Sequence, residues 1–493
     1  MGEHSVISGP KLAAGWSAQQ RRRPLSPVFS GGLLSAFVLI PALYPQQILP
    51  VLLFALSGLV VLMALLRLLC LGLILYPKSS ANPKGRTAHS RVKWPDFTVL
   101  VPLYQEAHMV PALLRALARL DYPQAHLRIV LVCEADDRPT CAAVKARLTA
   151  PFEICEVPPS HPRTKPKALN AALFSRPAHR RGDIITVYDA EDRPHPDQLK
   201  QAARALMSDP GLLAVQAPLG YYNDKDTLLS ALFGLEYAAL FHVFNPALAR
   251  LGLPFTLGGT SNHIRYQALE QAGGWDAYNV TEDADLSFRL TALSQQGKPN
   301  TKIGTISAPT YEEAVSRLPA WRMQRSRWLK GFMQTWHVHV RKQAKSPDGG
   351  AFGWGVYLKN LLALQITVGA TLAAAFLHLP SLVILSGIAL GETLGLIHFA
   401  WPPFALMIMF GGYGAAMLMG MVGALKAQKS YLVKFVPLMP FYWLLFFRPA
   451  VRAASEFSHA PSLWHKTVHK GLTQHADAVT GKTHLEPDIS PPI

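Results

Sequence analysis

The chain has 493 residues, half of them hydrophobic and 16% charged, with a formal net charge of +17. That length allows more than one domain, and that composition is too apolar for an ordinary soluble protein. The basic residues cluster beside apolar runs, which points to a bilayer with basic loops on one side and away from nucleic acid as a partner.

Residues 1–29 are polar, carry Arg21-Arg22-Arg23 and read as a flexible basic leader. Residues 30–77 are apolar and broken at Pro41, Pro45 and Pro50. Basic residues flank both ends, with Lys78, Lys84, Arg86, Arg91 and Lys93 on the far side, so an even number of crossings is expected. The expectation is a membrane hairpin whose second span covers about 48–66, with Arg67 snorkelling at its inner end.

Between 78 and 345 the pattern changes. Strand-like runs (97–101, 128–133, 152–157, 183–188, 212–216) alternate with helix-like runs (110–120, 140–148, 167–174, 197–207). Such alternation predicts a mostly parallel sheet covered by helices. Cys133 falls in one strand run and Cys70 in an apolar one; with Cys141 and Cys155 they lack metal spacing and read as thiols in a reducing compartment. No dinucleotide fingerprint or P-loop follows any strand. A helix at about 317–340 puts Trp321, Trp328, Phe332 and Trp336 on one face among basic residues, as in a helix lying on a membrane surface.

Residues 346–448 are apolar again and hold four candidate spans, 357–378, 381–400, 403–424 and 431–447. Lys426 and Lys429 fit four crossings poorly, which leaves open two spans plus re-entrant or surface helices. The tail, 449–493, begins basic, turns polar and is expected on the cytoplasmic side.

The chemistry centres on Ile184–Asp192. A β-branched apolar run ends in Asp189, Glu191 and Asp192, and Arg193-Pro194 stops it. Acids at the carboxyl end of a buried strand suit a divalent cation that bridges protein oxygens to a diphosphate. Glu106 follows the first strand, and Glu134, Asp136 and Asp137 follow the second. Arg163, Lys165 and Lys167 crowd a helix N-terminus, where cations lose macrodipole energy unless an anion joins them. Gly258-Gly259-Thr260-Ser261-Asn262 allows close backbone approach to a ligand. Thr281-Glu282-Asp283 opens a helix and offers a general base, and Gln324, Arg327 and Trp328 lie within about one turn of each other.

In this order the motifs resemble the inverting, membrane-embedded family 2 glycosyltransferases such as cellulose, hyaluronan and chitin synthases, and more closely a bacterial subgroup of β-glucan synthases. The resemblance covers about 97–336 and extends to Trp464–Thr467. It implies an α/β GT-A (nucleotide-diphospho-sugar transferase) domain between transmembrane helices, cytoplasmic at the bacterial inner membrane. By that resemblance Asp283 is the catalytic base, and Glu106, Glu134, Asp136, Asp137, Lys165, Lys167 and Asp189 bind the donor. Gly259, Thr260, Ser261, Asn262, Glu282, Gln324, Arg327 and Trp328 contact acceptor and diphosphate. Asp189 and Glu191 hold Mg2+ or Mn2+, with Asp192 as the alternative second ligand. Gln105 stands where the family has Asn. The implied reaction is processive β-glycan synthesis from UDP-glucose, coupled to export and open to accessory subunits. Transfer of one sugar to a lipid acceptor is the alternative enzyme, and a non-catalytic membrane transporter or scaffold is the alternative from another class.

Overall fold

The computed structural model describes residues 12, 15–19, 45–76, 93–293, 301–343, 353–396, 398 and 405–464. The first helix, α1, spans Pro45–Leu75. The alternating region then builds β1 (Phe97–Leu103), α2 (Val110–Leu117), β2 (Leu127–Glu134), α3 (Arg138–Lys145), β3 (Phe152–Val157) and α4 (Lys165–Phe174). After these come β4 (Ile184–Val187), β5 (Arg193–Pro194), α5 (Gln198–Ser208), β6 (Leu212–Gln216) and β7 (Leu219–Tyr221). Seven strands form one sheet in the order β3-β2-β1-β4-β8-β6-β9, where β8 is Asn262–Arg265 and β9 is Lys302–Thr305. All pairs are parallel except those that β8 makes with β4 and β6. The apolar runs that mark the strands bury both faces, as a sheet sandwiched by helices requires. A small sheet, β5-β10-β7 with β10 at Thr310–Glu312, closes the side next to the acid loop.

The remaining elements carry the domain toward the membrane helices. They are α6 (Leu228–Ala239), which continues through a π-helical turn into α7 (Asn245–Arg250), then α8 (Tyr266–Gln271), α9 (Glu282–Ala292) and α10 (Leu318–Gln343). Next come α11 (Gly353–Leu364), α12 (Ala370–Thr393), α13 (Ala405–Lys426), a 3-10 segment (Ser430–Leu438), α14 (Met439–Leu444) and α15 (Phe447–His459).

Among the described residues, four helical runs are long and apolar enough to cross a membrane: Leu53–Leu75, Leu228–Arg250, Gly355–Thr393 and Met407–Lys426. Leu228–Arg250 is two-thirds buried within the protein and serves the catalytic domain. The hairpin's first expected span lies outside the described residues. Its second does not stop at Leu66: residues 68–75 stay apolar, and Cys70, Leu71 and Ile74 pack on Val243 and Ala247. Arg67 therefore sits inside the helix.

The spans expected at 357–378 and 381–400 are one helical run of 39 residues. Pro380 does not break it, and proline is tolerated in membrane helices whose neighbours satisfy the freed carbonyl. At 1.5 Å per residue the run is about 58 Å long, against roughly 30 Å of hydrocarbon. Its first turns instead pack on the catalytic domain, where Ala363, Leu364 and Val368 meet Phe288. Beyond α13 the chain bends by 41° between Ser430–Leu444 and Phe447–His459, which matches two crossings followed by a broken or re-entrant segment. In α13, Gly412 lets α1 approach, since a Cβ there would stand 2.5 Å from Val60.

Two further expectations need correction. The α10 helix does not lie free on a surface: Trp321 is fully buried and donates to Tyr442 Oη at 3.2 Å. Trp321 and Trp328 of its aromatic face pack on residues of the 431–446 segment, while Trp336 stays exposed. The leader is not free along its whole length either. Ser17 Oγ donates to Asp276 at 3.0 Å, the Ala18 amide donates to the same carboxylate at 2.6 Å, and the Trp16 ring stands edge-on to His339 at 5.2 Å.

Candidate active site

The chain leaves β1 for β2 and β3, then returns to β4 on the other side of β1. That reversal of strand order opens a crevice at the carboxyl ends of β1 and β4, where open α/β sheets bind ligands. A cavity of about 1290 Å³ begins there. Glu106, Glu134, Asp189, Glu191, Lys165 and Asp283 line its polar end, with Gly259, Thr260, Glu282, Gln324, Arg327 and Trp328 around them.

The acid loop after β4 sorts its three carboxylates. Asp192 is fully buried and turned inward, where it accepts from the Asp189 amide at 2.7 Å and from Thr260 Oγ. Asp189 and Glu191 face the cavity. Glu191 is thus the loop's second outward acid, and Asp192 shapes the turn. Burial, then Asp189 and Glu106, push the Glu191 carboxyl up to about 8. A carboxylate so held is what a cation relieves. The described residues contain no cluster of three metal-ligand side chains. A divalent ion resting on one or two carboxylates, with diphosphate and water completing its shell, fits this donor set.

The basic residues divide differently from expectation. Lys165 Nζ bonds Asp189 and donates to Gly259 O at 2.8 Å. Burial alone would lower its pKa, but Asp189, Glu282 and Asp283 outweigh that and raise it. Lys167 does not reach the cavity. It is spent on Glu134, at 2.8 and 2.9 Å, and holds that carboxylate at the crevice wall. Arg163 lies over the Tyr104 ring at 4.9 Å and pairs with Asp136, which is not part of the lining. Asp137 is not part of the lining either: it is the N-cap of α3, accepting from Thr140 N at 3.4 Å, and it also accepts from the Gln105 amide. Gln105 has a φ of 54°, a left-handed conformation that asparagine adopts more readily, which explains the family's usual residue there.

In the glycine-rich loop only Gly258, Gly259 and Thr260 face the cavity. Ser261, at a φ of 54°, donates to Thr310 Oγ1 at 2.6 Å, and Asn262 donates to Gly258 O at 2.7 Å. Both hold the loop and do not line the cavity. A Cβ on Gly259 would come within 3.5 Å of Asp283 Oδ2.

Asp283 begins α9, and burial raises its pKa, while the Ala284 amide, Lys165 and Arg327 pull it back. Glu282 is pushed up to about 7 by burial and by Asp283. The helix behind them is anchored by Asp285, fully buried between Arg289 (2.7 Å) and His339 (2.9 Å). Gly331 of α10 permits the close crossing, because a Cβ there would meet Thr281 Oγ1 at 2.3 Å.

Along α10, the buried Gln324 Oε1 and Arg327 Nε have no hydrogen-bond partner. Buried polar atoms are normally satisfied, and both residues also line the cavity. Arg327 otherwise donates to Val280 O at 3.3 Å and lies over the Trp464 ring at 4.5 Å.

Arg325, Glu312 and Trp464 are given no role by the sequence reading. Arg325 is locked to Glu236 at 2.7 and 2.6 Å and caged by Phe233 and Trp328. Glu312 lines the cavity, its pKa raised well above the carboxylate range by burial, then by Asp192 and Glu191. Trp464 covers Arg327 from the tail, although its motif was noticed. Only spatial neighbours distinguish the first two from ordinary surface charges.

A mostly parallel sheet with its acids at a strand-order reversal, between apolar helices, has the layout of a GT-A domain. The sequence profile of "Glycosyl transferase family group 2" matches residues 184–446, and that of "Glycosyl transferase family 2" matches 98–261. The chain belongs to glycosyl transferase family group 2, and helices long and apolar enough to cross a membrane flank its catalytic-type domain. It is 27% identical over 237 residues to "Probable glycosyltransferase YdaM" of Bacillus subtilis, covering 48% of this chain and 55% of the relative. It is 27% identical over 252 residues to "Probable glucomannan 4-beta-mannosyltransferase 6" of Oryza sativa subsp. japonica, covering 49% of this chain and 42% of the relative. The chain thus spans about half the length of these two relatives. Over 398 residues it is 26% identical to "Beta-monoglucosyldiacylglycerol synthase" of Synechocystis sp., covering 78% of each. A solved structure of mannosyltransferase PcManGT from Pyrobaculum calidifontis, in complex with GDP-Man and Mn2+, is similar at 20% identity and a TM-score of 0.47 over 76% of this chain and 99% of that one.

Proposed function

We propose that the protein moves a hexosyl group, glucose from UDP-glucose in the first instance, to a hydroxyl of a membrane-borne acceptor with inversion at the anomeric carbon. The observation that carries this is one cavity holding Asp189, Glu191, Lys165, Asp283 and the unpartnered Gln324 and Arg327 atoms at one end, and membrane helices at the other. Asp189 and Glu191 would hold a divalent cation, which supplies charge neutralisation for the leaving diphosphate. Lys165 and Arg327 add positive charge beside it. The Asp283 carboxylate takes the acceptor's hydroxyl proton. The oxygen bonds to the anomeric carbon as the carbon–diphosphate bond breaks, so an α-linked donor gives a β-glycoside and a free nucleoside diphosphate. The basic flanks of the membrane helices favour a cytoplasmic catalytic domain at an inner membrane.

The acceptor is the point on which two readings divide. The membrane arm of the cavity is lined by aliphatic side chains such as Leu56, Val60, Leu385 and Ile408. A threaded glycan would leave many hydroxyls without hydrogen-bond partners there, so the arm favours a lipid acceptor. The second reading, a processive β-glycan synthase coupled to export, is favoured by the Gln324–Trp328 signature and by one observation: Tyr413 and Trp443 stack at 6.1 Å beside the arm, a platform suited to a sugar ring.

The test uses membranes containing the protein, a panel of labelled sugar nucleotides, and Mg2+, Mn2+ or EDTA. Metal-dependent release of nucleoside diphosphate from one donor supports the reading and names the sugar. Turnover of every donor unchanged by EDTA refutes the metal assignment, and no turnover of any donor counts against a transferase.

A further inference from the structure

The small sheet β5-β10-β7 fixes one acid that the proposed reaction leaves without a task. In β10, Thr310 and Tyr311 pair with Pro194 and Arg193 of β5, directly after the acid loop, and Glu312 pairs with Tyr221 of β7. The Glu312 carbonyl also accepts from the Tyr222 amide at 3.1 Å. Side chains alternate along a strand. Tyr311 lies on one face, where Lys429 Nζ stands over its ring at 5.1 Å. Thr310 lies on the other, where its hydroxyl accepts from Ser261 Oγ at 2.6 Å and Gln198 Nε2 at 2.9 Å. Glu312 shares Thr310's face, the side of the glycine-rich loop, and it lines the cavity.

Its carboxyl is short of partners. Oε1 is buried and accepts no hydrogen bond, an arrangement that folded proteins rarely leave unanswered. Asp192, Glu191 and Asp189 stand close enough for their charges to oppose its ionisation, and Lys165 close enough to favour it. That lysine is already bonded to Asp189 and Gly259 O. A shared metal ion is not the missing partner, because Glu312 forms no three-ligand cluster with Asp189 and Glu191 among the described residues. A hydroxyl group remains. The donor's diphosphate belongs beside Asp189 and Glu191, and its hexosyl ring hangs from that diphosphate by a single oxygen, so ring hydroxyls enter the same neighbourhood. A carboxyl with spare acceptor capacity takes a hydroxyl proton whether it is ionised or not.

We infer that Glu312 reads the donor's sugar: its carboxyl accepts a hydrogen bond from one hydroxyl of the transferred hexosyl ring and so selects which hexose is moved. This rests on the sugar-nucleotide reading above and assigns the choice of sugar to a particular residue. A site built to accept a substrate hydroxyl rejects an analogue that lacks it, because the buried carboxyl then stays unsatisfied.

The test is equilibrium binding to full-length protein in neutral detergent with Mn2+. The probes are UDP, UDP-glucose, GDP and GDP-mannose, then the singly deoxygenated analogues of the sugar nucleotide that binds. In wild type one analogue should bind roughly tenfold more weakly than its parent, or weaker still. Glu312→Ala should bring the parent down to that analogue's affinity. Binding of the bare nucleotide and the Mn2+ concentration for half-saturation should stay at their wild-type values. Glu312→Gln, which keeps one acceptor oxygen, should restore part of the discrimination. Discrimination that survives Glu312→Ala, or bare-nucleotide binding that falls in step with sugar-nucleotide binding in both variants, would overturn the inference and leave the transferase reading standing. A wild type that binds no sugar nucleotide would sink that reading, and this inference with it.

Discussion

The two ends of the cavity handle charge in opposite ways. At the catalytic end, acids and bases are crowded together and neutralise one another: Lys165 with Asp189, Lys167 with Glu134, Asp285 with Arg289 and His339. At the membrane end Arg67 is the one charge that α1, α12 and α13 bring to the lining among the described residues, and it stands among aliphatic side chains. Where many charges meet, each is held by its neighbours and the donor's diphosphate enters a ready-made field. Where one charge stands among apolar walls, no described neighbour holds it. Charge count at a site therefore says little about ligand binding until partners are assigned.

The largest effect that would sharpen this contrast is at Asp283. Asp283→Asn should lower transfer by about 10²–10⁴-fold, the usual worth of a general base, while donor binding persists in equilibrium titration. Burial raises the Asp283 pKa, so its base form is lost at a higher pH than for an ordinary carboxylate. The wild-type rate should accordingly fall as pH drops through that raised value, and a profile flat through the acid range would argue against this role.

Next is the anchor beneath it. Asp285→Ala strips Arg289 and His339 of their shared carboxylate and should cost about 3–5 kcal/mol of stability, read by thermal unfolding in detergent. Burial would raise the Asp285 pKa, but Arg289 and His339 hold it below the usual value. Its contribution is therefore present above the unfolded carboxylate pKa and lost as pH falls through the depressed folded one. The variant should lack that part of acid destabilisation.

The two neighbouring acids should separate cleanly. Glu191→Gln should raise the Mg2+ or Mn2+ concentration for half-maximal activity by roughly tenfold or more. Asp192→Asn should chiefly lower stability, by about 1–3 kcal/mol, since its carboxylate bonds the Asp189 amide and Thr260. The smallest change belongs to the arm. Ala374→Phe, on the α12 wall, should raise the acceptor KM severalfold and leave the donor KM unchanged; a matching rise in both would mean that the arm is not an acceptor route.

Much of the domain could be read from the sequence because its central strands, Phe97–Leu103 and Leu127–Glu134, are short apolar runs buried on both faces. Phe152–Val157 and Leu212–Gln216 begin and end where their composition changes. The acids after β4 were legible for the same reason: nothing in a core strand predicts three carboxylates at its end. Pairing was not legible. Lys167 and Asp137 sit in suggestive motifs, yet each is committed to a neighbour set by folding, Glu134 in one case and the α3 N-terminus in the other. The membrane region misled where Pro380 looked like a boundary, because hydropathy does not record which neighbours tolerate a proline. The docked leader was invisible, since Ser17 meets Asp276 across 259 positions of sequence and Trp16 meets His339 across still more.

The most direct test of the central claim, that the charged end transfers a sugar onto an acceptor delivered through the apolar arm, is to follow the label. Membranes containing wild type or Asp283→Asn would receive labelled donor with Mn2+, and the products would be separated into organic-soluble lipid and insoluble polymer. The account predicts a β-linked sugar in the lipid fraction from wild type and none from the variant. Label found only in an alkali-stable polymer, or equal transfer by the variant, would contradict it.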